Sequence, residues 1–370
     1  MKIGIDASRA FIDNRTGIEE YSFRVIEQLT KEKSLKEHEV ILYARGGKLR
    51  LELEAGNFRL PYNWKVKEVL PSRFWTQLGL SLELLLNPID ALFVPAHTVP
   101  LVHPKNTVVT VHGLEYEHCP ESYGLYSRWF HRFFVKKSCK WASKIIAISK
   151  NTRKDLLEIY KADKKKIEIV YNGFLRIDDN FKKIRPKKLK AQDERFIFFV
   201  SRLEERKNIM GILEAFKILK SEHSYPGKLV MAGKPGRGYE KFKAKVKEYK
   251  LQREVVETGF VSEEEKWWLM ENTEIFMFPS LSEGFGFPVV EAQNVGTPVV
   301  TSDIGPLDEV AGNDEILVDP NDPEEIAKIA NKIATEKTFK ESVIEKGTKN
   351  VKRFSWERCG GEVARVILKK

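Results

Sequence analysis

The chain has 370 residues, a formal net charge of +10 and three cysteines, and it is too long for one typical hydrophobic core, so two α/β domains are expected. Its 42% hydrophobic and 31% charged residues describe an ordinary globular protein, and no run approaches the roughly 18 apolar residues of a spanning helix. Cys119, Cys139 and Cys359 are scattered and form no CxxC pair, which points to a reducing compartment and excludes a cysteine metal site.

Met1-Lys-Ile-Gly-Ile-Asp6 runs straight into a strand with no apolar leader or cleavage site, so a cytoplasmic location is expected. The positive balance suits nucleic acid, an anionic membrane surface or anionic small substrates. Lys2 to Ala7 reads as a strand, and Thr16-Gly17-Ile18 leads into Glu19–Leu29, whose apolar positions recur at helical spacing. Further strands are expected at 39–43, 65–69, 91–94, 107–111 and 144–148, with helical patterns between several of them. Such alternation implies a mainly parallel sheet whose ligands bind beyond the carboxyl ends of the strands. His97 and His112 each follow such an end, although a lone histidine there is more often structural.

Tyr126-Ser-Arg-Trp-Phe-His-Arg-Phe-Phe-Val-Lys-Lys137 is a basic, aromatic helix. Three readings stand: a buried apolar side with a solvated basic side, a contact with anionic lipid, or a wall of an acceptor cleft. No known nucleic-acid module accompanies it, so nucleic acid is not an expected partner. Val170-Tyr-Asn-Gly-Phe174 closes the first half, and Asp178–Gln192 is a polar, Lys-rich linker.

A second set of strands is expected near 196–200, 228–232, 254–258, 275–278, 298–301 and 316–318. The first ends in Ser201-Arg202-Leu-Glu-Glu-Arg206-Lys207-Asn208 before a helix over Ile209–Leu219. Arg offers a planar fork and Lys a compact charge to phosphate, both beside a helix N-terminus. A surface salt-bridge cluster with Glu204 and Glu205 is the alternative. Ile275–Phe278 is an apolar run ending at Pro279, and a loop from Ser280 to Phe287 precedes Pro288, which suits a first helical turn. Strand, glycine-containing loop and helix start make an anion site. Glu283 and Glu291 flank it, which makes sense when the ligand also carries hydroxyls or a developing positive charge, as a sugar nucleotide does. The plain alternative is a solvated Glu283 and a Glu291 that complements the helix dipole. Asp322-Pro-Glu-Glu starts a later helix, and no internal repeat is present.

Glu283-Gly-Phe-Gly-Phe-Pro-Val-Val-Glu291-Ala, followed by Gly296-Thr-Pro-Val-Val-Thr-Ser-Asp303, resembles the signature of the retaining group 1 (family 4) glycosyltransferases. The resemblance implies an α/β GT-B architecture, two Rossmann-like domains with parallel sheets facing across a cleft. It assigns residues 1–175, plus a C-terminal helix at about 356–370, to acceptor binding and 176–355 to the nucleotide-sugar donor. It implies catalytic roles for His112, Arg202, Lys207 and Glu283, with Arg206 a rival for the phosphate role. Gly17, Gly233, Val261, Phe285, Gly286, Phe287, Val290 and Glu291 are the donor-binding residues it implies. The chain departs from the family pattern in having Gly17 alone, where many relatives show two glycines, and Gly113 after His112, where relatives often have Asp.

Gly17-Ile-Glu-Glu-Tyr21, Val111-His-Gly-Leu114 and the Glu283 motif are similar to bacterial and archaeal mannosyltransferases of surface-polysaccharide assembly. The resemblance therefore implies GDP-mannose as first donor, ahead of UDP-glucose and UDP-N-acetylglucosamine, and a glycan or lipid-linked acceptor. With no Asp-x-Asp in the chain, no metal and no other cofactor are expected. Peripheral contact at the inner face of the cell membrane would fit the basic first half. A GT-B nucleotide-sugar 2-epimerase and a non-catalytic nucleotide-sugar or polysaccharide-binding subunit are the rival functions.

Overall fold

A computed structural model of the chain describes residues 1–13, 15, 17–71, 74–118, 120, 124–177, 180–189 and 195–369. Thr16, Cys119 and parts of the expected 178–192 linker lie outside the described residues. The contacts divide the chain into two compact units, Met1–Gly173 with Phe354–Lys370, and Phe174–Arg353.

The first unit is built on seven strands: β1 (Lys2–Asp6), β2 (Glu39–Ala44), β3 (Trp64–Glu68), β4 (Ala91–Val94), β5 (Asn106–Val111), β6 (Lys144–Ala147) and β7 (Ile167–Ile169). All pair in parallel in the order β3-β2-β1-β4-β5-β6-β7. The central strands are buried on both faces, which is why they read as unbroken apolar runs. Six of these strands match expected runs, whereas β7 was not anticipated. It is a three-residue edge strand whose Glu168 faces Lys369, at 2.8 Å, and Arg365, so no long apolar run announces it.

Helices α1 (Gly17–Leu29), α2 (Lys48–Glu54), α3 (Ser81–Leu86), α4 (Glu115–His118), α5 (Leu125–Trp141) and α6 (Lys150–Glu158) join the strands, with a π-helical stretch over Trp75–Leu80 feeding α3. The chain leaves β1 in one direction to β2 and β3, and from β4 runs the other way, so right-handed crossovers put helices on both faces. Leu80, Leu84, Val135, Cys139 and Leu156 share one buried cluster, which places the α3, α5 and α6 layer on a common face. Burial pushes the Cys139 thiol up to about 12, so it packs as a small apolar group.

The second unit holds β8 (Phe196–Val200), β9 (Lys228–Ala232), β10 (Val255–Gly259), β11 (Ile275–Phe278), β12 (Val299–Ser302) and β13 (Leu317–Val318). They form a parallel sheet in the order β10-β9-β8-β11-β12-β13, and all six match expected runs. Around it lie α7 (Ile209–Ser221), α8 (Tyr239–Glu248), α9 (Glu263–Asn272), α10 (Phe287–Asn294), α11 (Pro306–Ala311), α12 (Pro323–Thr335) and α13 (Lys337–Asn350). Asp322 caps α12 by accepting from the Glu324 and Glu325 amides.

The last helix, α14 (Trp356–Leu368), returns to the first unit and packs on α1. Glycine makes this approach possible: a Cβ on Gly360 would stand 2.4 Å from Gln28 Cβ, and one on Gly173 would stand 2.3 Å from the Trp356 amide. Gly361, by contrast, has nothing closer than Glu32 Oε1 at 3.5 Å. Two neighbouring substitutions therefore have opposite signs. Gly360→Ala should destabilise by about 1–3 kcal/mol through overpacking. Gly361→Ala should stabilise by up to about 1 kcal/mol through helix propensity. Urea unfolding of the two variants beside the wild type checks both signs.

Candidate functional site

In the second sheet the chain runs from β8 outward to β9 and β10, and from β11 the opposite way to β12 and β13. Adjacent strands β8 and β11 thus send their following loops to opposite faces, which opens a crevice at their carboxyl ends. Two loops border this crevice, Ser201–Asn208 after β8 and Pro279–Gly286 after β11.

Lys207 Nζ and Glu283 Oε1 form an ion pair across these loops, with side chains only 8% and 12% exposed. Ser280 Oγ donates to the same carboxylate oxygen at 3.2 Å. Burial pushes the Lys207 pKa down, and the Glu283 carboxylate opposes that shift. Glu283 is therefore not a solvated loop residue. Asn208 ties the region together from a left-handed conformation (φ 59°). Its Nδ2 donates to the carbonyls of Pro279 at 2.9 Å and Pro320 at 2.6 Å, while its Oδ1 caps α7 by accepting from the Gly211 amide.

The three cations of the first loop have separate fates. Arg206 Nη1 donates to the Ser282 carbonyl at 2.8 Å, its Nη2 lies 3.1 Å from Glu204, and its own carbonyl accepts from the Leu281 amide. It braces one loop against the other. Arg202 is 67% exposed, and Glu204 is its nearest carboxylate at 3.8 Å. The expected salt-bridge alternative is thus present for Arg206 and only marginal for Arg202.

Positive φ and close contacts explain two of the glycines. A Cβ on Gly233 (φ 143°) would fall 1.7 Å from the Ser201 carbonyl oxygen, and the Gly233 amide donates to Gly259 O at 2.8 Å. The ends of β8, β9 and β10 are drawn together there. Gly286 (φ 96°) precedes α10, and a Cβ on it would fall 2.4 Å from Leu307 Cδ2. Phe285 is buried with its ring 5.0 Å from that of Phe287, and Val290 is buried in the first turn of α10. Val261 is half-buried beside Ser262, which starts α9 with a reciprocal capping box to Glu265.

Glu291, on α10, pairs with Lys266 of α9 at 3.2 Å, and Lys266 also reaches Glu263 at 2.9 Å. Burial raises the Glu291 carboxyl pKa, against the pull of Lys266. Glu291 is accordingly a fixed, buried carboxylate rather than a simple dipole complement. Sequence reasoning missed Lys266, Asn208 and the bracing role of Arg206. Glu263 and Lys266 do carry an i,i+3 signal, but nothing in the chain links Lys266 to a residue 25 positions away.

In the first unit, His112 follows β5 and is buried. Its Nε2 lies 2.7 Å from the Pro95 carbonyl, which can only accept, so Nε2 carries the proton and Nδ1 offers a lone pair. Its ring meets Tyr21 and His97 edge-on at 4.6 and 5.3 Å, and burial lowers its pKa to about 4. His97, half-buried, is pushed well below the usual histidine value by the same cause. Gly113 has a positive φ of 146°, which L side chains rarely adopt, and the Glu115 carboxylate lies against its Cβ position. Gly17 opens α1 with nothing within 4 Å of its Cβ position, so no crowding requires glycine there. A cavity of about 430 Å³ lies near the carboxyl ends of β1 and β2, lined in part by Arg9, Glu19, Arg45 and Trp75.

On α5 the buried side is Val135, Ser138 and Cys139, while Tyr126, Trp129 and Phe133 stand exposed. The reading with an apolar side buried and a basic side solvated does not hold for these aromatics. Among the described residues no group of three or more His, Cys, Asp or Glu is placed to hold a metal ion, and no helix is long and apolar enough to cross a membrane.

The family profile of glycosyl transferases group 1 matches residues 180–350, and that of Glycosyltransferase Family 4 matches residues 15–174. Similar sequences include the O-antigen chain mannosyltransferase B of Escherichia coli, 25% identical over 69% of this chain and 68% of that protein. An uncharacterized glycosyltransferase of Methanocaldococcus jannaschii, MJ1607, is 26% identical over 70% of this chain and 68% of its own length. The serotype-specific mannosyltransferase WbdA of Escherichia coli is 28% identical over 61% of this chain, but only 29% of that longer protein is covered. Among solved structures, a sucrose-phosphate synthase from Thermosynechococcus elongatus superposes with a TM-score of 0.73 at 16% identity, covering 99% of this chain and 98% of that one. WaaG, a glycosyltransferase involved in lipopolysaccharide biosynthesis, gives 0.68 at 15% identity over the full length of both chains. At these identities the structural likeness concerns the fold. With a glycosyltransferase profile on each unit and parallel sheets of matching architecture beneath them, the chain belongs to the group 1 glycosyltransferases and has the GT-B fold.

Proposed function

We propose that this glycosyltransferase moves a hexose, with GDP-mannose the first donor to test, onto a glycan or lipid-linked acceptor, with retained anomeric configuration and without a metal. The observation that carries the reading is the buried Lys207–Glu283 pair in the β8/β11 crevice, with the exposed Arg202 on the same loop as Lys207. Arg202 would grip the diphosphate with its planar fork, and Lys207 would exchange part of its bond to Glu283 for a phosphate oxygen. The positive end of the α10 dipole, beside Gly286, Phe287 and Val290, would add to the field on the leaving group. Such cations and dipoles supply what a metal supplies elsewhere.

Glu283 would hold sugar hydroxyls. Glu291 would take the ribose, because Lys266 occupies Oε1 and leaves Oε2 for a diol. Gly233, Val261 and the buried Phe285 would frame the nucleotide on the second unit. On the first unit, Gly17 would leave room for phosphate, and His112 would accept from a sugar hydroxyl through Nδ1. In the transfer the anomeric carbon–phosphate oxygen bond breaks and the bond to the acceptor oxygen forms on the same face. The departing phosphate takes the acceptor's proton, so no separate general base is required. Peripheral contact with an anionic membrane through α5 belongs to the same reading, since a lipid-linked acceptor would be met there.

Arg202→Ala and Glu283→Ala should each lower turnover about a hundredfold or more, and values within about threefold of wild type would mean that the site is misplaced. Lys207→Ala should chiefly weaken nucleoside diphosphate binding, and it should also destabilise by about 3–5 kcal/mol because a buried carboxylate loses its partner. A thermal-shift panel of GDP, UDP, ADP and their sugars reads the first effect and ranks the donors. Activity should be indifferent to a chelator; loss on chelation with return on adding manganese would refute the metal-free scheme.

The pH dependence follows from His112. Its folded pKa of about 4 lies below the ordinary 6.5, so below pH 6.5 the unfolded chain takes up a proton that the folded chain refuses. The stability gained by keeping the ring neutral is thus complete above pH 6.5 and is lost as pH falls toward 4. His97 adds a shift of the same sign. Urea midpoints of wild type and His112→Asn should converge as pH is lowered through this window; a constant gap would show that His112 is not the titrating group.

A further inference from the structure

Of the seventeen large apolar side chains left exposed among the described residues, eleven lie between residues 70 and 133, far more than chance scatter over the chain would place there. Eight of the eleven fall on two helical segments, Trp75–Leu86 and α5. Leu78, Leu82 and Leu85 recur four and three residues apart along the continuous helix Trp75–Leu86 and are 53%, 51% and 62% exposed. Helical spacing puts all three in one stripe. The single acid of that segment, Glu83, is turned aside to Lys67 at 2.7 Å. On α5, Trp129 and Phe133 stack with ring centroids 5.6 Å apart, both on the exposed side.

One loop joins the two segments. The Val99 amide donates to Ser138 Oγ of α5 at 2.8 Å, and the Val99 carbonyl accepts from Gln77 Nε2 at 3.1 Å. The Val102 amide reaches Ser81 Oγ of α3 at 3.3 Å, and Leu101 stands exposed between the two anchors. Because both helices bury their opposite sides in one cluster on one face of the sheet, their exposed sides look outward together. A contiguous apolar surface of this kind marks a contact with lipid or protein.

We propose that the Leu78–Leu82–Leu85 stripe and Leu101 form, with α5, a two-part docking face for an anionic lipid bilayer. This deepens the membrane contact given above for α5 and rests on it; the new element is the leucine helix. The leucines supply depth of insertion, and α5 supplies choice of lipid. Over its 17 residues α5 carries five cations and no acid. Lys136, Lys137 and Lys140 at its C-terminal half are exposed, and none is ion-paired among the described residues. Apolar and aromatic groups beside a lysine row fit the headgroup boundary of an anionic bilayer. A second copy fits less well, because a two-fold contact sets the same patch against itself and would bring two lysine rows together.

Flotation of the full chain with phosphatidylcholine vesicles, with and without added phosphatidylglycerol, tests this. The wild type should bind the anionic vesicles. Leu82→Glu with Leu85→Glu should lower the bound fraction at least about tenfold, and Lys136→Gln with Lys137→Gln and Lys140→Gln should abolish the preference for phosphatidylglycerol. A nucleotide-induced thermal shift equal to the wild type's confirms that each variant is folded, and Leu82→Ser with Leu85→Ser replaces the glutamate pair should that pair fail. Unchanged binding by the leucine variants overturns the leucine helix as a docking element and leaves α5 alone at the membrane. A wild type that ignores anionic vesicles overturns the membrane contact altogether. A wild-type dimer that becomes a monomer in the leucine variants makes the stripe a self-interface and also overturns the proposal.

Discussion

A lysine and a glutamate brought together from loops 76 positions apart, and almost shut off from water, are the constraint on which the second unit's site depends. Neither charge is tolerable there alone, since the loss of hydration is recovered only when the partner is in place. The pair therefore holds two loops at fixed separation above β8 and β11. Ser280, Asn208 and Arg206 reinforce the arrangement through hydrogen bonds that involve loop carbonyls or the carboxylate itself. A crevice held open by paired charges and aimed dipoles, rather than by side-chain bulk, suits a ligand that carries both phosphate and hydroxyls.

Around this pair the backbone is brought close wherever a side chain would obstruct. Gly233 lets β9 approach the end of β8, and Gly286 turns the chain into α10 against Leu307. Both have positive φ, where a Cβ is strained even before the contact is considered. On the far side of α10, Lys266 fixes Glu291 by one oxygen. The two glutamates of the motif are alike in being buried and lysine-paired, and they differ in which element supplies the lysine.

The first unit uses its sheet differently. One face is closed by α1 and the returning α14, which meet through glycine. The other carries helices whose inner sides complete the core and whose outer sides keep leucine, tryptophan and lysine in the open. At the strand ends between them, burial keeps His112 neutral, against the opposing pull of its hydrogen bond to the Pro95 carbonyl.

Much of this was legible in the residues. Apolar runs and helical periods locate twelve of the strands, the central ones most plainly, because strands covered on both faces read as near-continuous apolar runs. The strand–loop–helix layout around 201–208 and 279–291 is equally visible, since in each a polar loop and a helix start follow an apolar run. What the residues left open is what depends on distant partners. The edge strand β7 is too short and too charged to register as a strand. Arg206 stands in sequence as a rival to Arg202 for the phosphate role, and it is the position of the Ser282 carbonyl that makes Arg206 a brace while Arg202 stays exposed. The aromatic residues of α5 leave three readings open in sequence, and packing decides that Val135, Ser138 and Cys139 are buried while Tyr126, Trp129 and Phe133 stay exposed. Local pattern determined the elements and the kind of chemistry their loops could do, because propensity and charge act over a few residues. Which charge faces which, and which apolar side is left without a core to enter, was decided by tertiary packing, because those outcomes are set by groups tens of residues away.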